Sequence, residues 1–439
     1  MQGFGSRVMG GLLVLSACGG RTGLELSTQV ENGGAHFGGT PSAGGAPSAG
    51  GAPSAGGAPS AGGAPSAGRG PLVATSVSAG TEMSCATERG GSVWCWGLND
   101  SGQLGNDTPA YSAVPIRVSG IDNALTVTTG GTWHGGGKGA SLFAFACALL
   151  RDGTVECWGQ NSASLLGTAS VAHSSVPLPI PGVTDAVAVA AGDEHACALA
   201  SGSVFCWGDG SLGQLGTGAP APCSGAGCSP PAVTRVLDGA TAIAGQASDF
   251  SCAVLADASV RCWGSLTGAF VADDIVASPT TVAGVTATSH GLAVGFHHAC
   301  AIAPLDGSIR CWGTNDDGEL GDGTTTASSA PVAVRGLAGP AIAVTAGLVH
   351  TCAVLTDGRV QCWGQNSFGQ LGNGTFKASL VPVTVSGITD ATAASAGYVH
   401  TCALTRAGSI RCWGENGGTL GNGDTSMGGV PTPVTVLGF

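Results

Sequence analysis

Lysine is almost missing from this chain of 439 residues, occurring only at Lys138 and Lys377. Charged side chains of all kinds make up 10%, and the formal net charge is −12. Clustered Lys and Arg are what grip phosphate backbones, so this balance argues against DNA or RNA as a partner. Aromatic residues are also sparse, at 5%. Beyond the first twenty residues no apolar stretch approaches the roughly 20 residues that a membrane-spanning helix needs. No His-Glu-x-x-His and no Gly-x-Ser-x-Gly occurs, which removes two common signatures of metalloproteases and serine hydrolases.

What is there begins with MQGFGSRVMGGLLVLSACGG, one early positive charge at Arg7 and a short apolar run closing on Leu15-Ser16-Ala17-Cys18. A run this short reads as an export signal rather than a spanning helix. It resembles the lipobox of bacterial lipoproteins. That resemblance implies a signal peptide over 1–17, acylation of Cys18, and an exported protein held to the bilayer at the outer membrane or cell surface. An ordinary cleaved signal with an incidental cysteine is the alternative. Gly19 follows Cys18, so nothing argues for retention at the inner membrane. Residues 18–70 then form a low-complexity tether, with PSAGGA four times in tandem from Pro41 and PSAGRG at Pro65. Nothing in it is bulky enough to offset the entropy lost on ordering. At roughly 5–6 Å × √n it reaches about 40 Å.

Residues 71–439 repeat. Cys-Trp-Gly begins at Cys95, Cys157, Cys206, Cys262, Cys311, Cys362 and Cys412, with partners upstream at Cys85, Cys147, Cys197, Cys252, Cys300, Cys352 and Cys402. In RVQCWG and VECWG the alternating runs read as strands, and Asp-Gly between them as a hairpin turn. Counting outward from that turn places the two cysteines opposite each other. Where the turn shortens (Ser201-Gly202) or lengthens (Pro304 to Gly307), the cysteine spacing changes by the same amount, so opposition is what is retained. Each pair falls on a non-hydrogen-bonded rung, where Cα atoms lie about 4.5 Å apart, within reach of a disulfide. Metal knuckles and redox dithiols both favour cysteines two residues apart, which this spacing does not offer. Seven structural staples are therefore expected, with Cys223 and Cys228 as a further local pair.

A small-residue strand precedes each hairpin, as in DAVAVAAG (185–192), and a Gly-rich loop and a proline-led strand follow it, as in GQLG and VPVTVSG. Four short strands per unit of about 50 residues, seven times, is the arithmetic of an all-β, seven-bladed β-propeller. The order Gly-x-x-His-[Thr/Ala]-x-Ala-Leu, Asp-Gly, Trp-Gly-x-Asn-x-x-Gly-Gln-Leu-Gly resembles the repeat of the regulator of chromosome condensation family. Departures are local. The second repeat inserts TWHGGGKGASLFAF before Cys147, the fourth lacks Gln-Leu-Gly, and Met83 and Phe250 stand where others have histidine.

Candidate chemistry is thin. His195, His298, His350 and His400 each precede a cysteine by two residues, which puts both on one face of a strand. Because the cysteine is committed, a packed histidine bonded to a backbone carbonyl is expected. Trp133 and His134, in the inserted loop of the second repeat, are the candidate binding residues. TNDDGELGDG (314–323) does not follow the calcium-loop order, and GGGKGAS (135–141) fails the phosphate-loop spacing. No cofactor or metal is expected. The leading expectation is a monomeric binding scaffold that displays a stapled propeller to a protein partner. The family resemblance brings two alternatives, guanine nucleotide exchange and a polysaccharide-acting enzyme using Asp193-Glu194 or Asp273-Asp274.

Overall fold

A computed structural model describes residues 70–134, 141–220, 233–246, 248–265 and 275–439. The signal 1–17, Cys18, the tether up to residue 69, Lys138, the Cys223–Cys228 pair and Asp273-Asp274 lie outside the described residues. Seven antiparallel sheets follow one another, each of four strands that are consecutive in sequence and neighbours in space. The first blade runs Ala74–Ala79, Met83–Glu88, Val93–Gly97 and Ser112–Arg117. The last runs Ala391–Ala396, His400–Thr405, Ile410–Glu415 and Gly429–Thr435. The fold is a seven-bladed β-propeller whose first strands line the central channel. Among the described residues no blade borrows a strand from the other terminus. The ring closes by packing, with Leu72 N donating to Gly438 O (2.8 Å) and Ala74 N to Gly408 O (2.8 Å).

In every blade the second- and third-strand cysteines are directly opposed, from Cys85↔Cys95 to Cys402↔Cys412. All seven pairs are disulfides, with Cα atoms 4.0–4.1 Å apart. The short separation follows from the ladder. Glu88 N donates to Ser92 O (2.9 Å), so hydrogen-bonded rungs fall at 88/92 and 86/94 and leave 85/95 on the close, non-bonded kind.

Trp-Gly after the second cysteine is a joint between blades. The seven tryptophans are fully buried, which gives each about 4–6 kcal/mol of gross hydrophobic stabilisation. Trp96, Trp158, Trp207, Trp263, Trp363 and Trp413 each donate Nε1–H to a carbonyl in the Gly-rich loop of the preceding blade, at 2.7–3.0 Å. Trp312 follows the blade whose Gln-Leu-Gly is missing, and its Nε1 has no acceptor among the described residues. The last glycine of the loop is dictated by this joint, because a Cβ on Gly321 or Gly372 would sit 2.7 Å from the tryptophan nitrogen.

Histidine makes the second joint, and here the expected partner is corrected. Among the described residues, His195, His298, His350 and His400 do not bond a backbone carbonyl. Their Nε2 atoms meet the hydroxyls of Ser251, Thr351, Thr401 and Ser84 in the next blade, at 2.7–2.8 Å. Thr351, Thr401 and Ser84 donate onward to the carbonyls of Glu319, Gln370 and Thr419, so in those three joints Nε2 carries the proton. Burial holds the four rings neutral, with pKa values pushed down to about 3 or about 4. Gly-x-x-His is explained as well: a Cβ on Gly347 would lie 2.6 Å from His350 Cε1. Where a blade carries Met83, Phe145 or Phe250 instead, the residue across the joint is Ala146, Ala196 or Ala299. A hydroxyl therefore appears only opposite a ring that can use it.

Candidate functional site

The loops connecting first to second and third to fourth strands emerge on one face; the hairpin turns and the connections between blades emerge on the other. Charge is divided sharply between them. Arg89, Arg151, Arg359 and Arg406 sit in hairpin turns, and Arg117, Arg235 and Arg335 in or just past outer strands. Arg261, Arg310 and Arg411 stand one residue before the third-strand cysteine, on its hairpin side. All ten described arginines thus belong to the hairpin face, where ten carboxylates balance them. The opposite face holds the other thirteen described carboxylates and one cation, Lys377. Glu82, Asp193, Glu194 and Asp249 lie in its first-to-second connections. Asp100, Asp107, Asp209, Asp316, Asp317, Glu319, Asp322 and Asp424 lie in its third-to-fourth connections, and Glu415 ends the strand that leads into the last of them.

Near the seam between the seventh and first blades these carboxylates affect one another. Burial, then the charge of Asp100, raises the pKa of Glu82; burial, then Glu82, raises that of Glu415. Burial and the charges of Asp193 and Glu82 raise the Tyr398 hydroxyl. In the fifth blade burial pushes the Glu319 carboxyl up to about 7. Glu319 occupies the position of Gln103, Gln214 and Gln370, and like them it accepts a backbone N–H two residues upstream, from Asp317 at 3.0 Å.

The loops of this face are held in fixed shapes. Buried Asn99 accepts Leu104 N (2.8 Å) and donates to Thr108 O (2.6 Å) and Ala110 O (3.0 Å). Asn366 does the same with Leu371 N, Thr375 O and Lys377 O at 2.9–3.0 Å. The channel offers an open space of about 260 Å³, lined by small side chains such as Ser78, Thr128, Ala190, Thr345 and Ser395. Gln246, just past the first strand of the fourth blade, reaches across it. Its Nε2 donates to Ala79 O (2.7 Å) and Ala396 O (2.8 Å), pinning both sides of the seam from within.

Trp133 and His134 are not in a loop. The insertion extends two strands, Ala124–His134 and Ser141–Leu150, into a long hairpin in which Trp133 pairs with Leu142 and His134 with Ser141. The carboxylate pair Asp193-Glu194 is unequal, since Asp193 is 2% exposed. A glycosidase pair needs both groups open to the sugar. Among the described residues no three His, Cys, Asp or Glu side chains are grouped to hold a metal ion.

Comparison with known proteins agrees with this architecture. Two family models, both described as the regulator of chromosome condensation (RCC1) repeat, match the chain. One covers 90–134, 152–199, 306–354 and 357–404. The other covers 74–103, 186–214, 341–370 and 391–418. Together they span more than half of it. The ultraviolet-B receptor UVR8 of Arabidopsis thaliana is 38% identical over 96 residues, 22% of each chain. The E3 ubiquitin-protein ligase MYCBP2 of Danio rerio is 40% identical over 78 residues, 18% of this chain and 2% of that protein. The similarity to these curated relatives thus spans about a fifth of their length or much less. Among solved structures, human WBSCR16 superposes with a TM-score of 0.63 at 22% identity, over 79% of this chain and 94% of that one. Saccharomyces cerevisiae Prp20p, characterised for its binding to Gsp1p and histones, superposes with 0.58 at 22% identity, over 74% and 80%. With repeat matches from Ala74 to Gly418 and the matching propeller fold, this chain belongs to the regulator of chromosome condensation repeat family.

Proposed function

We propose that the chain is a protein-binding scaffold held outside the cytoplasm, anchored through acylated Cys18 and extended on its tether. The observation that carries the reading is the stapled ring. Each blade closes on its own disulfide, and tryptophan and histidine joints lock most blades to their neighbours, so the loops are presented in fixed positions. Presenting loops without reorganising them lowers the cost of binding. Disulfides in every blade suit an oxidising compartment. Binding of other proteins by Prp20p supports a partner of the same general kind.

Palmitate labelling and fractionation of cells carrying wild type or Cys18→Ala test the location; label in the wild-type envelope and its loss in the variant are expected. Cross-linking on intact cells, followed by capture of the propeller, tests the scaffold. A discrete protein partner is expected. Absence of any cross-linked partner, or turnover of a surface polysaccharide that one carboxylate substitution abolishes, would overturn the reading.

A further inference from the structure

We infer that the seam of the seventh and first blades, with the adjoining loop of the sixth, forms on the acidic face a docking surface for a cationic protein segment carrying apolar side chains beside its lysines or arginines. This rests on the scaffold reading and names the face and the partner chemistry.

The surface is a row of exposed apolar side chains laid over glycines. The glycines belong to two segments of the seventh blade, 416–418 and 427–429, tied by Asn416 N donating to Gly428 O (2.8 Å). On one side Phe376 lies over Gly429, where a Cβ would come within 2.8 Å of its ring. On the other the Tyr111 ring of the first blade covers Gly418, where a side chain would overlap the phenol. Met427 lies over Gly417 between them. Met427 is 86% exposed, Phe376 54% and Tyr111 37%, in a chain with few aromatic residues to leave in water. Phe376 and Tyr111 stand on the loops that Asn366 and Asn99 brace, so these anchors are pre-ordered, as residues that dominate binding energy tend to be.

Charge selects the occupant. Glu82, Asp100, Glu415 and Asp424 lie on the first and seventh blades, and Lys377, the one described cation of the face, follows Phe376 on the sixth. An anionic bilayer is repelled from such a surface, and so is the same face of a second copy. The hairpin face of a second copy is balanced, with Arg359 and Arg235 already engaged by Asp357 (2.7 Å) and Asp238 (2.6 Å). A basic segment satisfies the field, and its apolar side chains pack against Phe376, Met427 and Tyr111.

The test is titration of the whole propeller with a synthetic peptide of Lys, Leu and Trp, and with a counterpart carrying Glu for Lys. Saturable one-to-one binding of the basic peptide is expected, weakening as salt rises. Phe376→Ala with Met427→Ala should reduce affinity about tenfold, and Glu82→Gln with Glu415→Gln should flatten the salt dependence. Leu305→Ala, fully exposed on the hairpin face, should change nothing. The inference is overturned if the basic peptide fails to bind, or if the Glu peptide binds equally well. It is also overturned if Leu305→Ala weakens binding as much as Phe376→Ala with Met427→Ala. Binding to phosphatidylglycerol vesicles, or concentration-dependent self-association lost with Phe376→Ala, would replace it with a membrane or a second copy. If cross-linking on cells captures the same partner with Phe376→Ala, Met427→Ala as with wild type, the seam is wrong while the scaffold stands. If nothing is captured by wild type, the scaffold itself fails.

Discussion

Replacing Thr401 by Ala in the joint between the sixth and seventh blades should expose the logic that holds the ring together. The Thr401 hydroxyl gives its hydrogen to Gln370 O (3.1 Å), so it receives one from His350 Nε2 (2.8 Å). His350 is fully buried, and Thr401→Ala leaves its N–H with no acceptor and no water, at a cost of about 1–3 kcal/mol. His350→Met alone leaves the hydroxyl its outgoing bond and removes only the incoming one, for about 1 kcal/mol. The double variant recreates the combination of Met83 and Ala146 at the first joint, with a glycine three residues before the methionine in both places. The second change should therefore cost much less in the presence of the first, with a coupling of about 1 kcal/mol or more. Urea midpoints of the four proteins, disulfides intact, measure this cycle. Costs that add within about 0.5 kcal/mol would refute the claim that ring and hydroxyl act as a unit.

Glu319→Gln should stabilise the protein at pH 8 and change little at pH 4. The carboxyl is raised to about 7, so its stabilising contribution is complete below the unfolded value of 4.5 and lost as pH rises through 7. Denaturation midpoints at the two pH values decide it, and an equal gain at both would count against the burial argument. The histidines act in the opposite sense. Four rings lowered from 6.5 to about 3 or about 4 favour the fold above pH 6.5, and stability drains as pH falls toward those values. Each contributes up to about 1.4 kcal/mol per pH unit inside that window. An acid-unfolding curve measures this, and its slope should be shallower in the His350→Met, Thr401→Ala protein. Gly347→Ala should destabilise by more than about 1 kcal/mol, because the new methyl meets both His350 Cε1 at 2.6 Å and the Gly397 carbonyl. Ala at Gly336, an open turn with φ +83°, tests backbone strain alone and should cost less.

The repeat, the staples and the propeller were legible because each follows from local spacing. Opposed cysteines around a turn of variable length have one geometric meaning, whichever blade they belong to. The histidine partners were not read, although the signal is in the chain: histidine appears only where the following repeat has Ser or Thr just before its first cysteine. Seeing it requires comparing one repeat with the next, since the joint lies between blades and not within one. The division of charge needed only that each Asp, Glu and Arg be assigned to one kind of turn. The long hairpin of the second blade looks like a loop in the sequence because the glycines around Lys138 mask the strand alternation on either side. Gln246 gave no signal at all. It lies outside the repeat pattern, and its partners are 150 and 167 residues away across the channel.

Non-reducing peptide mass spectrometry, after alkylation of protein taken from its own host, bears most directly on the stapled ring outside the cytoplasm. Seven linked peptides are predicted, each joining the two cysteines of one blade, such as Cys352 with Cys362. Alkylated free thiols at most of these positions, or links between different blades, would contradict it.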